Sequence, residues 1–167
     1  MVRIGLLSDT HGYWDDRYAD FFASCDEIWH AGDIGDLSLY NRLQALKPIR
    51  AVVGNIDGYP LRQMLPLVNV FEVEKVRVLL THIGGYPGKY APGILPQLNA
   101  NGTTLFISGH SHILKVIYDP KLQLLHINPG AAGRQGFHKV RTLVRFVIDQ
   151  DKIKELEIKE IPLNELG

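Results

Sequence analysis

Among the side chains of this 167-residue chain whose types bind divalent metal ions, seven recur in one pattern. Asp9 and His11 stand in SDTH, Asp33 in HAGD, Asn55 in VVGN, His82 in LLTH, and His110 and His112 in GHSH. Each group follows a short apolar run. Carboxylate and amide oxygens are hard ligands, imidazole nitrogen is borderline, and the set contains no thiolate. Such a mix suits Mn, Fe, Zn, Co or Ni and argues against a cysteine zinc finger. Seven ligands exceed one tetrahedral ion and suit two ions with one bridging carboxylate. Taken singly the motifs are weak: D-x-H at a strand end is commonly a turn, and GD and GN are turn dipeptides. GHSH is stronger, because two histidines at a strand end are costly to bury without partners. The force lies in the conjunction and the order. Gly32, Gly54 and Gly109 each directly precede a ligand, where a residue without Cβ lets the backbone turn sharply.

The elements that must position these groups follow from the apolar pattern. Residues 2–7 read as a strand, and 27–33 and 49–55 as strands that run into loops. They alternate with helices over 15–24, with Asp15 and Asp16 in the first turn, and over 36–46, capped by Asp36 or Ser38. That alternation predicts parallel pairing with right-handed crossovers. The second half predicts a hairpin over 67–82 turning near Glu74-Lys75, a Gly/Pro-rich loop over 84–93, a helix near 94–100 and, over 103–110, a strand ending in a loop. Two further hairpins follow, 113–119 with 122–128 and 140–149 with 152–161, the last with alternating polarity. Ligands in α/β sheets gather beyond the carboxyl ends of strands, where loops converge, and all seven candidates fall there. The predicted fold is α/β: a two-sheet mixed β-sandwich flanked by helices, with residues 1–167 as one domain.

Composition is that of an ordinary globular chain, 46% apolar and 22% charged. The formal charge is zero, which does not indicate a broad basic surface for nucleic acid. Cys25 is the only cysteine, so no internal disulfide supports the fold. No apolar run is long enough to span a bilayer, and Asp9 interrupts the N-terminal apolar stretch too early for a signal peptide. A cytoplasmic setting is the expectation.

The ordered set SDTH, GD, GN, TH and GHSH resembles the calcineurin-like metallophosphoesterases over residues 1 to about 148. Together with NPGAAGR late in the chain, it is similar to the compact single-domain bacterial and archaeal phosphodiesterase subgroup. The resemblance implies the family's four-layer sandwich fold. It implies one metal held by Asp9, His11, His112 and bridging Asp33, and a second held by Asp33, Asn55, His82 and His110. Two divalent ions follow, manganese first, with nickel, iron, zinc or cobalt as alternatives. Such a pair, about 3.5–4 Å apart, clamps a phosphoryl group and lowers the pKa of a bridging water for in-line attack. Asp33, Asn55 and His82 are thus the catalytic candidates, with Asn55 and Arg134 as substrate contacts. One departure stands out. Many members read GNH followed by an acid, and that histidine serves as proton donor. Here the stretch is GNID. Ile56 has no proton to give, so leaving groups of low pKa are favoured, and His138, Arg134 and Asp57 are the substitute donors to consider.

The remaining singular residues are read more plainly. His30 is a packed, hydrogen-bonded core histidine or a support to the ligands, His126 is structural, and Cys25 is a core residue. Tyr13, Trp14 and Tyr86 line the pocket mouth or simply pack. The substrate is expected to be a small phosphoester, with no membrane or nucleic-acid partner. A homodimer or higher homo-oligomer is an open alternative. Two other functions compete. One is a weakly active or non-catalytic binding module, since the same small fold is similar to the scaffold subunit of the eukaryotic retromer coat. The other is a phosphomonoesterase or nucleotidase, against which stands the lack of a clear basic clamp beyond Arg134 and Lys89.

Overall fold

The computed structural model describes residues 1–164. Three short strands open the chain, β1 (Val2–Leu7), β2 (Glu27–His30) and β3 (Ile49–Ala51), separated by helices α1 (Asp16–Phe21) and α2 (Leu37–Leu46). They pair in parallel as the alternation predicts. After the four-residue helix α3 (Leu61–Met64), the hairpin β4 (Val68–Val73) and β5 (Val76–Thr81) turns at Glu74-Lys75. The Gly/Pro-rich loop carries a two-stranded ribbon, β6 (Gly85–Tyr86) and β7 (Lys89–Tyr90). Then come α4 (Ile94–Ala100), β8 (Leu105–Ile107), β9 (Leu114–Asp119), β10 (Leu124–Pro129), β11 (Val140–Asp149) and β12 (Lys152–Pro162).

Two mixed five-stranded sheets result, ordered β12-β11-β1-β2-β3 and β4-β5-β8-β10-β9. The period-two alternation of their strands builds the layers. On β1, Leu6 joins Trp29, Val144 and Phe146 against Val78, Leu80, Ile107 and Ile127 of the other sheet. Its neighbour Leu7 points the other way, into a second cluster with Tyr18, Phe22 and Leu43 of the α1–α2 side. On the far sheet Leu79 and Phe106 turn outward to meet Ile94 and Leu98 of α4. The layers are therefore helix, sheet, sheet, helix, as the sequence resemblance implies. No helix among the described residues is long and apolar enough to cross a membrane.

Two local readings change. The 15–24 helix is shorter, because Asp15 is extended and accepts a hydrogen bond from the Arg17 amide as its N-cap. The last hairpin does not alternate cleanly. β11 lies between β12 and β1 with both faces covered, and seven of its ten residues are buried. On β12 the alternation breaks where the register shifts opposite Arg145/Val147 and Glu155 adopts a positive φ of 54°.

The buried ion pair beneath α1 joins distant parts of the chain. Arg141, wholly buried on β11, meets Asp15 at 2.9 Å and donates to the Ala132 carbonyl at 2.7 Å. Burial alone would raise the Asp15 carboxyl. The Arg17 amide and the Arg141 guanidinium outweigh it and hold the group below the usual range.

His126 sits in β10 without exposure, stacked on Phe106, and its Nδ1–H donates to the Phe106 carbonyl at 3.1 Å. Its Nε2 is buried without a partner among the described residues. Burial pushes the imidazole down to about 4, against about 6.5 in the unfolded chain. Between those values the unfolded state takes up a proton that the folded state refuses, so stability falls as pH falls. At about 1.4 kcal/mol per pH unit, this residue alone costs about 3 kcal/mol between pH 6.5 and pH 4. His126→Phe, which keeps the stack, should flatten the pH dependence of urea unfolding in that window. An unchanged slope would mean that other groups set it.

Candidate metal centre

The strands of the facing sheets deliver the seven candidate ligands to one rim. Asp9 comes two residues after β1, Asp33 three after β2, Asn55 four after β3, His82 one after β5, and His110 three after β8. Backbone bonds zip these loops together. The Asp9 amide donates to the Gly32 carbonyl at 2.9 Å, His11 to Asp33 at 3.0 Å, and Gly109 to His82 at 2.9 Å. Five of the seven ligands leave their strands through the left-handed region: Asp9 (φ 55°), His11 (48°), Asp33 (56°), His110 (73°) and His112 (63°). Asp and His tolerate that region better than most residues. Even so, each costs about 1 kcal/mol or more and persists because the surroundings fix it.

The glycines before the ligands are spatial requirements. A Cβ on Gly54 would collide with the Asp33 carboxylate, and one on Gly32, where φ is +99°, would lie 2.7 Å from the His82 ring.

Two ligand groups form, Asp9 with His11 and His112, and Asp33 with His82 and His110. Each carboxylate has one oxygen anchored and one free. Asp9 Oδ2 accepts from Ser8 Oγ (2.6 Å) and the His110 amide (3.1 Å), and Asp33 Oδ1 accepts from the Ile56 amide (3.0 Å). The free oxygens face imidazoles. Asp9 Oδ1 lies 3.2 Å from His112 Nε2. Asp33 Oδ2 lies 3.2 Å from His82 Nε2 and 3.6 Å from His11 Nε2, and so between the two groups. Asn55 Oδ1 is 3.1 Å from His110 Nδ1, which places the seventh candidate beside the second group.

The donor chemistry fits divalent cations. Among the described residues, Asp9 Oδ1, His11 Nε2 and His82 Nε2 are buried without hydrogen-bond partners, although each is a strong polar atom. The His82 ring donates Nδ1–H to the Ala31 carbonyl at 2.7 Å, which leaves its Nε2 lone pair aimed at a carboxylate. Neighbouring ligands on one ion, each about 2.0–2.2 Å from it, stand about 3.0–3.4 Å apart, as several of these pairs do. The electrostatics agree. Burial would raise the Asp9 carboxyl, but His11 and His112 hold it far below the usual range. Burial likewise opposes the Asp33 shift, which His82 and the Ile56 amide drive downward. His11 is raised, chiefly by Asp9. His82 is raised by Asp33 and Asp9 against its burial. A field that holds protons on imidazoles also attracts a cation.

Supports around the ligands are equally specific. His30 accepts from the Gly32 amide at Nδ1 (3.1 Å), so Nε2 carries the proton that Thr10 Oγ1 accepts at 3.0 Å; Thr10 in turn donates to the Ile34 carbonyl. Burial pushes His30 down to about 4, so it stands neutral beneath the site. Asn128 donates to the Gly109 carbonyl and to Ser111 Oγ, and Ala132 and Gly133 donate to the Ser8 and Asp9 carbonyls. NPGAAG therefore braces both GHSH and SDTH.

A family model of the calcineurin-like phosphoesterase superfamily domain matches residues 2–151. The chain belongs to this superfamily. A probable metallophosphoesterase of Methanothermobacter thermautotrophicus is 32% identical over 141 residues, spanning 78% of this chain and 77% of that protein. Among solved structures, a novel archaeal phosphodiesterase superposes with a TM-score of 0.73 at 20% identity, covering 96% of this chain and 99% of its own. Vps29 of Entamoeba histolytica, in complex with zinc, superposes at 0.74 with 15% identity over 97% and 99%. At these identities the solved structures speak for the fold. The family's metal dependence agrees with the two ligand groups found here.

Other residues singled out in the sequence take different places. Exposed Arg134 donates to the Leu163 carbonyl at 3.4 Å, its guanidinium 5.5 Å from the Tyr13 ring. Trp14 packs on Tyr18 beneath the Arg42 guanidinium, and Tyr86 lies under Lys115. Cys25 is buried, which raises its thiol. Lys89 lines a separate pocket with Tyr90 and Asp119. Asp57 is buried with both oxygens engaged by backbone amides.

His138 is held by the ligand set. Its Nε2–H donates to the Gly133 carbonyl at 2.8 Å, which leaves Nδ1 to accept from His112 Nδ1–H at 3.3 Å and turns His112 Nε2 toward Asp9. Partners of this kind are worth about 10–100-fold in metal affinity. His138→Ala should weaken one of two manganese sites by that amount in a calorimetric titration, and His138→Gln, which can still accept, should recover most of it. Equal affinities in wild type and His138→Ala would place the orientation of His112 elsewhere.

Proposed function

We propose that the protein is a divalent-metal-dependent phosphodiesterase, with manganese the first candidate for both ions and a small phosphoester as substrate. The observation that carries the reading is the Asp33 carboxylate, anchored at Oδ1 and placed at Oδ2 between the two ligand groups. When bound, two ions would supply Lewis acidity to the phosphoryl oxygens and an activated water. Asp9 and Asp33 bring the negative charge that binds such ions, while Asn55, a neutral ligand, leaves the pair positive enough to hold an anion. His82 is fixed by its bond to Ala31. Asn55 and Arg134 are the proposed phosphate contacts, Arg134 by leaving the Leu163 carbonyl.

Ile56 replaces a proton donor, and two substitutes are committed elsewhere, His138 to Gly133 and His112 and Asp57 to backbone amides. Departing alcohols of low pKa are therefore preferred, without the 10²–10⁴-fold that a positioned acid adds. Diesters are favoured because two clefts flank the ligands. One, about 280 Å³, runs along Asn55 and His82; the other, about 440 Å³, runs along His110, His112 and Phe137. Each can take one ester arm. A cytoplasmic setting belongs to the same proposal.

The test is the initial rate on bis(4-nitrophenyl) phosphate and 4-nitrophenyl phosphate with Mn²⁺. The diester should be turned over faster, and a chelator should abolish both activities. A faster monoester would replace the diesterase reading by a phosphomonoesterase one. The binding-module alternative is favoured by the likeness to Vps29. Protein that holds two metal ions yet is inert on both esters would support it.

A further inference from the structure

The cleft on the Asn55 side holds a cation that the metal chemistry leaves unused. Arg62, at the exposed face of α3, lines this cleft together with Asn55 and His82, between walls formed by Val53, Leu67 and Ile83. One guanidinium nitrogen, Nη2, donates to the Gly54 carbonyl at 2.9 Å, which ties the side chain to the loop that presents Asn55. No carboxylate lies within ion-pair distance of Arg62 among the described residues. An arginine keeps its charge throughout the working pH range and offers five N–H donors, of which this contact uses one. The cleft is thus apolar along its walls, cationic at Arg62 and open to the metal ligands at Asn55 and His82. Its 280 Å³ is near the lower end of small-molecule sites.

Resting on the phosphodiesterase reading, we infer that Arg62 recognises a second anionic group, a carboxylate or phosphate, on the ester arm that occupies this cleft. The arm's carbon skeleton would lie against Val53, Leu67 and Ile83, and the guanidinium would meet the anion through its free N–H groups. Selectivity then comes from the arm and not from the reacting phosphoryl group. The opposite cleft, with Ile113 and Phe137 exposed, carries no arginine or lysine and takes an uncharged arm.

A matched pair of diesters tests this: 4-carboxyphenyl 4-nitrophenyl phosphate and its neutral isostere 4-carbamoylphenyl 4-nitrophenyl phosphate. Wild-type protein should show a KM about five- to tenfold lower for the carboxylate, as expected of a partly exposed charge pair. Arg62→Gln, which keeps a polar side chain and removes the charge, should bring the KM ratio of the pair to about one. Arg62→Lys should retain most of the preference. Calorimetry with 4-carboxyphenyl phosphate and 4-carbamoylphenyl phosphate gives the same comparison at equilibrium, independent of turnover. The inference is overturned if wild type treats the pair alike, or if Arg62→Gln raises KM equally for both, the result of a merely structural tie to Gly54. It is also overturned if Arg62→Gln impairs 4-nitrophenyl phosphate alone, which would make Arg62 a clamp on the reacting dianion. Failure of the diesterase reading shows separately, as slow turnover of the carbamoyl diester relative to the monoester, and leaves the calorimetric comparison intact.

Discussion

Asp33→Asn is expected to lower turnover of bis(4-nitrophenyl) phosphate by about 10³-fold and to reduce the bound manganese from two ions to one, while the protein stays folded. The substitution isolates charge from shape. The side-chain carbonyl of asparagine can still accept from the Ile56 amide, the bond that Asp33 Oδ1 makes at 3.0 Å. What is lost is the anionic Oδ2 between His82 at 3.2 Å and His11 at 3.6 Å. An amide is a poor bridge between two cations, and removing one preorganised electrostatic partner commonly costs 10²–10³-fold. The fold should tolerate the change because Asp33 is fixed by backbone bonds as well: its carbonyl accepts from the His11 amide at 3.0 Å. The measurements are metal content by mass spectrometry, turnover, and urea unfolding in chelator. Two retained ions with turnover within tenfold of wild type would show that Asp33 is not the shared ligand.

The seven candidate ligands were legible because their chemistry is written in residue type and their position in the ends of apolar runs. Strand period and strand–helix alternation then predicted the parallel half, and the Glu74-Lys75 turn predicted the hairpin β4–β5. What could not be read depends on contacts between loops distant in sequence. His138 and His112 are 26 residues apart, and nothing local distinguishes His138 from a surface histidine. Arg62 lies on a four-residue helix too short to show a periodic face. The left-handed backbone at Asp9 and Asp33 arises from pairing between the β1 and β2 loops, and only the glycines beside it hint at the crowding. The clean alternation expected for β11 failed because its place inside a five-stranded sheet buries both faces, a fact of topology that a hairpin pattern does not contain.

Asp57 shows the same limit and yields the second large effect. In GNID it reads as an acid that has lost its histidine. In the fold it is 2% exposed and accepts three backbone N–H bonds, from Gly54 (2.9 Å) and Ile34 (3.1 Å) at Oδ2 and from Gly35 (2.9 Å) at Oδ1. It therefore ties the loop carrying Asn55 to the loop carrying Asp33. Hydrogen bonds to a charged group contribute about 1.5–3 kcal/mol each, and buried amides left without an acceptor add their desolvation cost. Because the three share one carboxylate they do not sum fully, so Asp57→Ala should destabilise the metal-free protein by about 3–5 kcal/mol, or about 10 °C in melting temperature. Asp57→Asn should cost less, about 1–2 kcal/mol. Its carbonyl can serve Gly54 and Ile34 while its NH₂ is left facing the Gly35 amide, donor against donor. Metal affinity should follow the same order, wild type above Asn above Ala, since loosening this tie separates Asn55 from Asp33. Urea unfolding in chelator and calorimetric manganese titration read the two effects independently. If Asp57→Ala loses less than about 1 kcal/mol, or keeps both manganese affinities, the two loops are held together by the bond from the Ile56 amide to Asp33 Oδ1 instead.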